Sequence, residues 1–275
     1  MSDSKNWPSD YVVTPAGLKL HIRRSGGDKP AILLLHGFSD DGACWPLAAA
    51  ALAETHDVIL ADARGHGLSD APRKGYGPQE MADDAAEIIT QLKLDKPAVL
   101  GHSMGAITAM ALAGLYPELP GRILLEDPPP SWMPETQTSV DPAPSDEWPP
   151  MFDWIIRTKR HTVEELVAAE SANQPGWPAE EFVPWAESKL RMSFNVLSRF
   201  GIHMDWPPIL QRITCPVLLI TSDPARGGLV NAEQAQAFRA LVPHAHVAHI
   251  AGAGHSIRRD QPATYISVVK AGLGE

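Results

Sequence analysis

Short runs of uninterrupted apolar residues, each the length of a strand, constrain this chain more than any other feature. They are Ala31-Ile32-Leu33-Leu34-Leu35, Val58-Ile59-Leu60-Ala61, Pro97-Ala98-Val99-Leu100, Ile123-Leu124-Leu125 and Val217-Leu218-Leu219-Ile220. A strand with one face in water alternates apolar and polar residues. A strand apolar at every position is covered on both faces. Helical spacing fills the intervals: in 79–94, Met81, Ala85, Ile88, Ile89 and Leu92 form one stripe, with Asp83, Asp84 and Glu87 mostly away from it. Buried strands alternating with helices predict an α/β fold, a mostly parallel, doubly wound sheet. The start differs. Residues 11–14 and 18–23, joined through Pro15-Ala16-Gly17, read as a hairpin whose second arm alternates as a half-exposed strand does.

The pattern lapses at Pro128-Pro129-Pro130. Residues 128–150 are rich in proline and poor in strand signal, and helices are expected over 151–158, 163–173 and 179–200. Six of the eight tryptophans (Trp132, Trp148, Trp154, Trp177, Trp185 and Trp206) fall in this part. The sheet pattern resumes at Cys215-Pro216-Val217, with a helix over 231–241, a strand over 246–250 and a last helix over 261–273. The expected organisation is a core of residues 1–127 and 213–275, interrupted by a helical cap at 128–212.

Gly101-His102-Ser103-Met104-Gly105 lies between the run ending at Leu100 and the small-residue helical stretch 106–115. Strand, G-x-S-x-G, then helix is the context of a nucleophile elbow. The turn is too tight for side chains at its flanks, so glycines stand at 101 and 105. Ser103 is held at the tip, above the N-terminus of the next helix. Such a helix end presents backbone N–H groups and a partial positive charge, which suit a developing oxyanion.

Composition narrows the partners. The net charge is −10, and no run of Lys or Arg is long enough to track a phosphate backbone, so nucleic acid is not expected. No apolar run is long enough to span a membrane. Residues 1–10 lack the apolar core of a signal peptide, so a cytoplasmic protein is expected. Cys44 and Cys215 have neither metal nor redox spacing and read as reduced thiols.

Taken in order, His36-Gly37, Asp62-x-Arg64-Gly65-x-Gly67-x-Ser69, Gly101-x-Ser103-x-Gly105 and Gly254-His255 make the chain resemble an α/β-hydrolase-fold protein from about Tyr11 to the end. The resemblance implies a serine hydrolase apparatus and no particular substrate. A serine hydroxyl needs a base to attack at neutral pH. Among 11 histidines, His255 is selected because it sits in a glycine-rich loop after the last strand and matches the family's histidine. His102 is expected to pack under the elbow and His36 to brace its loop. His66 has no feature that lifts it above its neighbours. The fold implies two oxyanion donors, the backbone N–H groups of Phe38 and Met104.

The acid is less direct. The family's usual G-x-x-D after strand 217–220 would put it at position 225, which is Ala225. Asp223 is nearby but early. Some members carry the acid at the end of the preceding strand, where Asp127 stands. Asp127 is therefore the expected acid, with Asp223 and then Glu126 as alternatives. Asp62, Arg64 and Ser69 are expected to pin their loop. Trp132, Met133, Trp154 and Met204, with the side chains of Phe38 and Met104, are expected to line the pocket.

These readings lead to a serine hydrolase that cleaves a small, largely apolar carboxylic ester or lactone through an acyl-enzyme, with no cofactor and no metal. C–C bond hydrolysis and perhydrolysis remain open on the same triad. A non-enzymatic receptor for small ligands is the alternative of another class. Oligomeric state is left open.

Overall fold

The structure is a computed structural model that describes residues 4–133, 150–197 and 201–275. Strands β1 (Ser9–Val13) and β2 (Lys19–Arg24) form the expected antiparallel hairpin. The remaining strands are β3 (Ala31–Leu35), β4 (Asp57–Ala61), β5 (Ala98–His102), β6 (Arg122–Glu126), β7 (Val217–Ser222) and β8 (His246–Ile250). The sheet order is β1-β2-β4-β3-β5-β6-β7-β8. β2 pairs antiparallel with β4, and every pair from β4 through β8 is parallel. The chain runs outward from β3 to β4, then returns to place β5 on β3's other side. That reversal opens a crevice at the carboxyl ends of β3 and β5, where an open α/β sheet binds its ligand.

The apolar runs do cover both faces. Leu33, Leu35, Ile59, Val99, Ile123 and Leu125 pack into one core with α2 (Pro78–Gln91), α3 (Met104–Leu115) and α9 (Ala232–Leu241). The alternate residues Ile32, Leu34, Val58, Leu60, Leu100 and Leu124 pack into a second core with α1 (Pro46–Leu52) and α11 (Pro262–Leu273). Each such side chain contributes about 1.5–3 kcal/mol when fully buried. α3 is buried from Met104 to Gly114, which explains its small, apolar composition. Asn231 caps α9 through the backbone N–H of Gln234, so that helix begins where the sequence placed it.

Between β6 and β7 the described chain is helical: α4 (Pro150–Thr158), α5 (Val163–Asn173), α6 (Ala179–Arg191), α7 (Phe194–Leu197) and α8 (Trp206–Leu210). These helices are inserted between two adjacent strands of the sheet, in the part of the chain expected to form a cap. The helix expected over 179–200 is broken. Met192 turns to an extended conformation, and the Ser193 N–H donates to the Gly65 carbonyl at 2.7 Å instead of continuing the helix. Trp148 and Phe200 lie outside the described residues. A short α10 (Ile257–Asp260), not foreseen, follows the loop that carries His255. The second hairpin arm is also less exposed than its alternation suggested. His21 is buried, donating from Nδ1 to Asp62 at 2.8 Å, with Ser9 Oγ 2.6 Å from Nε2. Among the described residues no helix is long and apolar enough to cross a membrane.

Candidate active site

Ser103 joins β5 to α3 with φ 52° and ψ −113°, a conformation that L-residues avoid. The flanking glycines are steric necessities. A Cβ on Gly101 would lie 2.2 Å from the Gly105 carbonyl oxygen, and one on Gly105 would lie 2.0 Å from that of Leu35. Strain of this kind is retained where the surrounding structure enforces it, often at functional sites. Ser103 and His255 open onto one cleft of about 320 Å³, whose walls include Phe38, Trp154, Trp177 and Trp185.

Asp127 follows β6 directly, with φ 42°, and is fully buried. Its Oδ2 accepts from His255 Nδ1 at 2.7 Å. The Leu229 N–H donates to both carboxylate oxygens, at 2.9 and 3.1 Å, and the Val230 N–H donates to Oδ1 at 3.3 Å. A neutral imidazole that donates through Nδ1 carries its lone pair on Nε2, the nitrogen a general base needs. The two alternative acids lie elsewhere. Asp223 accepts from His249 Nε2 and the Gly252 N–H on the far side of the β8 loop. Glu126 accepts from the backbone and guanidinium of Arg258 and from the Tyr265 hydroxyl. Burial raises its pKa despite Arg258.

His102 lies beneath the elbow as expected. It has a task the sequence did not reveal: its Nε2–H donates to the His255 carbonyl at 3.0 Å, and the two rings lie 4.7 Å apart. Burial, reinforced by Arg258 and His255, holds its pKa well below the usual imidazole range, so it stays neutral. The loop after β4 is pinned, though not by an Asp62–Arg64 pair. Asp62 accepts from His21, the Gly42 N–H and the Leu68 N–H, while Ser69 Oγ donates to the Asp62 carbonyl. Arg64 instead grips Asp84 of α2 with two bonds, at 2.6 and 2.7 Å.

The expected lining needs correction. Trp132 is in the core, edge-on to Phe238, with its indole N–H on the Gln234 carbonyl. Met133 and Met204 pack against that same core. Met104 turns from the cleft into a cluster with Tyr76, Met81, Ile155, Met192 and Val196, and Phe38 packs against that cluster too. Of the expected side chains, Phe38 and Trp154 face the cleft. The reason is local geometry. Met104 is the first residue of α3, and a helical side chain there points back under the turn. Trp132 follows a proline run that steers the chain over α9.

Sequence reading also missed a buried ionic cluster at the cleft floor. Asp40, three residues after Gly37, accepts from Lys189 of α6 at 2.7 Å and from Arg258 and Arg259 of α10 at 2.7 and 2.9 Å. Burial alone would raise the Asp40 pKa, but Arg259, Lys189 and Arg258 outweigh it and hold the carboxyl well below its ordinary range. Arg259 also bonds Glu181 of α6 and lies over the Trp177 ring. The cluster ties the loop after β3, α6 and the helix behind His255 together. It also makes the cleft more polar than an apolar pocket. Among the described residues no group of three or more His, Cys, Asp or Glu could hold a metal ion.

The chain is 28% identical over 257 residues to N-formylmaleamate deformylase of Pseudomonas putida, covering 90% of each. It is 25% identical over 266 residues to 2-(acetamidomethylene)succinate hydrolase of Mesorhizobium japonicum, covering 92% of this chain and 90% of that one. The crystal structure of E-2-(acetamidomethylene)succinate hydrolase shares the fold with a TM-score of 0.81 at 24% identity, over 98% of this chain and 100% of that chain. The model of the alpha/beta hydrolase family matches residues 32–268. A match over that span, on a chain with this sheet order and this elbow, makes the protein a member of the alpha/beta hydrolase family.

Proposed function

We propose that this hydrolase cleaves a small carboxylic ester or lactone through an acyl-enzyme on Ser103, His255 and Asp127. The observation that carries the proposal is the 2.7 Å bond from His255 Nδ1 to the buried Asp127 carboxylate, at the rim of the cleft that Ser103 enters. Ser103 Oγ attacks the carbonyl carbon while His255 Nε2 takes its proton. The carbonyl oxygen becomes an oxyanion against the N–H groups of Phe38 and Met104, each donor of this kind being worth about 3 kcal/mol. Collapse expels the alkoxide, which receives the proton from His255. Water, deprotonated by the same nitrogen, then releases the acid. Asp127 stabilises the imidazolium and keeps the ring in the productive tautomer. The route needs no cofactor. Residues 128–212, as cap, set which substrates reach Ser103.

A second reading is favoured by two of the relatives that match nine-tenths of the chain. Their names describe removal of a formyl group and hydrolysis of an acetamido compound, so an N-acyl amide is the other substrate class for the same triad. Incubation with a fluorophosphonate probe tests the nucleophile. Ser103 should carry the label, and Ser103→Ala should lose both label and turnover of p-nitrophenyl butyrate, by about 10⁶ when a triad serine is removed. Labelling elsewhere with turnover retained would refute the assignment. Labelling in one slow burst without turnover would favour a receptor.

A further inference from the structure

We infer that His36 and His66 are positioning residues for the oxyanion hole, clamping the carbonyl groups on either side of the Phe38 N–H. This rests on the proposed hydrolase reading, in which that N–H is a donor. The peptide joining Gly37 to Phe38 is planar and trans, so its carbonyl and its N–H point in opposite directions. Whatever holds the Gly37 oxygen therefore aims the Phe38 N–H.

Two donors hold that oxygen: His36 Nδ1 at 2.8 Å and the Asp40 N–H at 3.0 Å. The His36 tautomer is settled by its other nitrogen, which accepts from the Ala63 N–H at 2.9 Å. Nε2 is thus the acceptor, and Nδ1 carries the hydrogen that reaches Gly37. The next carbonyl, of Phe38 itself, accepts from His66 Nε2 at 2.5 Å. Anchoring both oxygens removes the rotation that would swing the N–H away from the Ser103 side. Both rings are buried and meet edge-on, their centroids 5.0 Å apart.

The His66 ring has a carbonyl at each nitrogen, since Arg64 O lies 3.0 Å from Nδ1. Two acceptors favour the imidazolium. Burial and the neighbouring His36 oppose it and push the pKa down to about 3, so a neutral ring donates through Nε2, on its shorter contact. Ala63 and His66 both belong to the loop after β4. That loop is itself pinned by Asp62 to His21 and by Arg64 to Asp84. Its ordering thereby gains a purpose: it is the frame on which the loop after β3 is held.

His66→Leu and His66→Gln separate this role from packing. A glutamine can place an N–H near the position of imidazole Nε2, and leucine cannot. With p-nitrophenyl butyrate, His66→Leu should lose roughly tenfold to a hundredfold in kcat, a part of the full loss of one oxyanion donor, with KM little changed. Affinity for a trifluoromethyl ketone, whose adduct carries the oxyanion, should fall by the same factor. His66→Gln should recover most of both. Equal impairment of the two variants, or a folded His66→Leu within about threefold of wild type, would overturn the clamp. The imidazole ¹⁵N spectrum of the wild-type protein gives a reading that needs no variant to fold and no turnover. His66 should carry a hydrogen on Nε2, and a bare Nε2 would overturn the clamp. A wild-type protein that neither turns over ester nor takes the label at Ser103 sinks the hydrolase reading instead.

Discussion

Asp127→Asn changes a charge while leaving the shape, and the hydrogen bonds around the carboxylate dictate how the amide must turn. Oδ1 is faced by the N–H groups of Leu229 and Val230, and Oδ2 by His255 Nδ1 and, again, Leu229. With its oxygen in the Oδ1 place, the amide keeps an acceptor for both backbone donors. With its NH₂ there, the Val230 N–H would lose its acceptor and meet a donor, while Leu229 would keep only its contact at the Oδ2 place. The first orientation is preferred, and it turns the NH₂ toward His255. His255 Nδ1 must then accept, its hydrogen moves to Nε2, and the base that Ser103 needs is lost. A triad locked in the wrong tautomer loses about 10⁴ in kcat, which corresponds to about 5 kcal/mol of barrier. The Asp223 carboxylate bonds His249 and the Gly252 N–H, not His255, so Asp223→Asn should stay within roughly tenfold of wild type, about 1.4 kcal/mol. The assay is kcat for p-nitrophenyl butyrate on proteins shown to be folded by circular dichroism. The reverse ordering, or an Asp127→Asn variant within tenfold of wild type, would refute the reasoning.

Other expectations follow from the packing. Asp40→Asn leaves Lys189, Arg258 and Arg259 without their shared anion and should destabilise the fold by about 3–5 kcal/mol in urea titration, the cost of breaking a buried pair; an effect under 1 kcal/mol would mean that Glu126 and Glu181 suffice. Because Asp40 has its folded pKa lowered, its contribution is fully present above the unfolded carboxyl value of about 3.9 and is lost as pH falls below it. The stability gap between wild type and Asp40→Asn should therefore be level from pH 8 to 5 and shrink in acid, and a gap that grows on acidification would reverse the sign. Trp132→Ala should cost about 3–5 kcal/mol of stability without altering substrate preference. Trp154→Ala, at the cleft, should instead change the ratio of kcat/KM between short and long acyl esters, each methylene of pocket space being worth about 1–3 kcal/mol; equal losses on every substrate would count against its place in the cleft. Gly105→Ala pushes a methyl into the Leu35 carbonyl and should cost more than about 3 kcal/mol, read as a drop in Tm.

The ionic cluster suggests how chemistry and access are joined. Its members come from the loop after β3, the helix α6 and the helix α10 behind His255, the places that carry Phe38, the cleft wall and His255. Ion pairs as buried as these add little net stability over apolar packing, yet they are costly to break singly. Their effect is to hold three separately inserted segments in one register.

Strand runs, the glycine-bounded serine and the late Gly-His were legible in the sequence because each follows from a local rule. A strand covered on both faces must be apolar throughout, and the elbow at Ser103 leaves no room for side chains at 101 and 105. Which of Asp127 and Asp223 contacts His255 was not a local matter. It turned on which of two loops at the same sheet edge faces His255, and the answer depends on Leu229 and Val230 closing over the carboxylate from 102 and 103 residues away. The cleft lining and the cluster around Asp40 were likewise decided by tertiary structure. The bonds of Lys189 and Arg259 to Asp40 join residues 149 and 219 positions apart. Contacts across such separations leave no periodicity in the chain, because they are fixed by how the cap and α10 settle on the sheet and not by any neighbour in sequence.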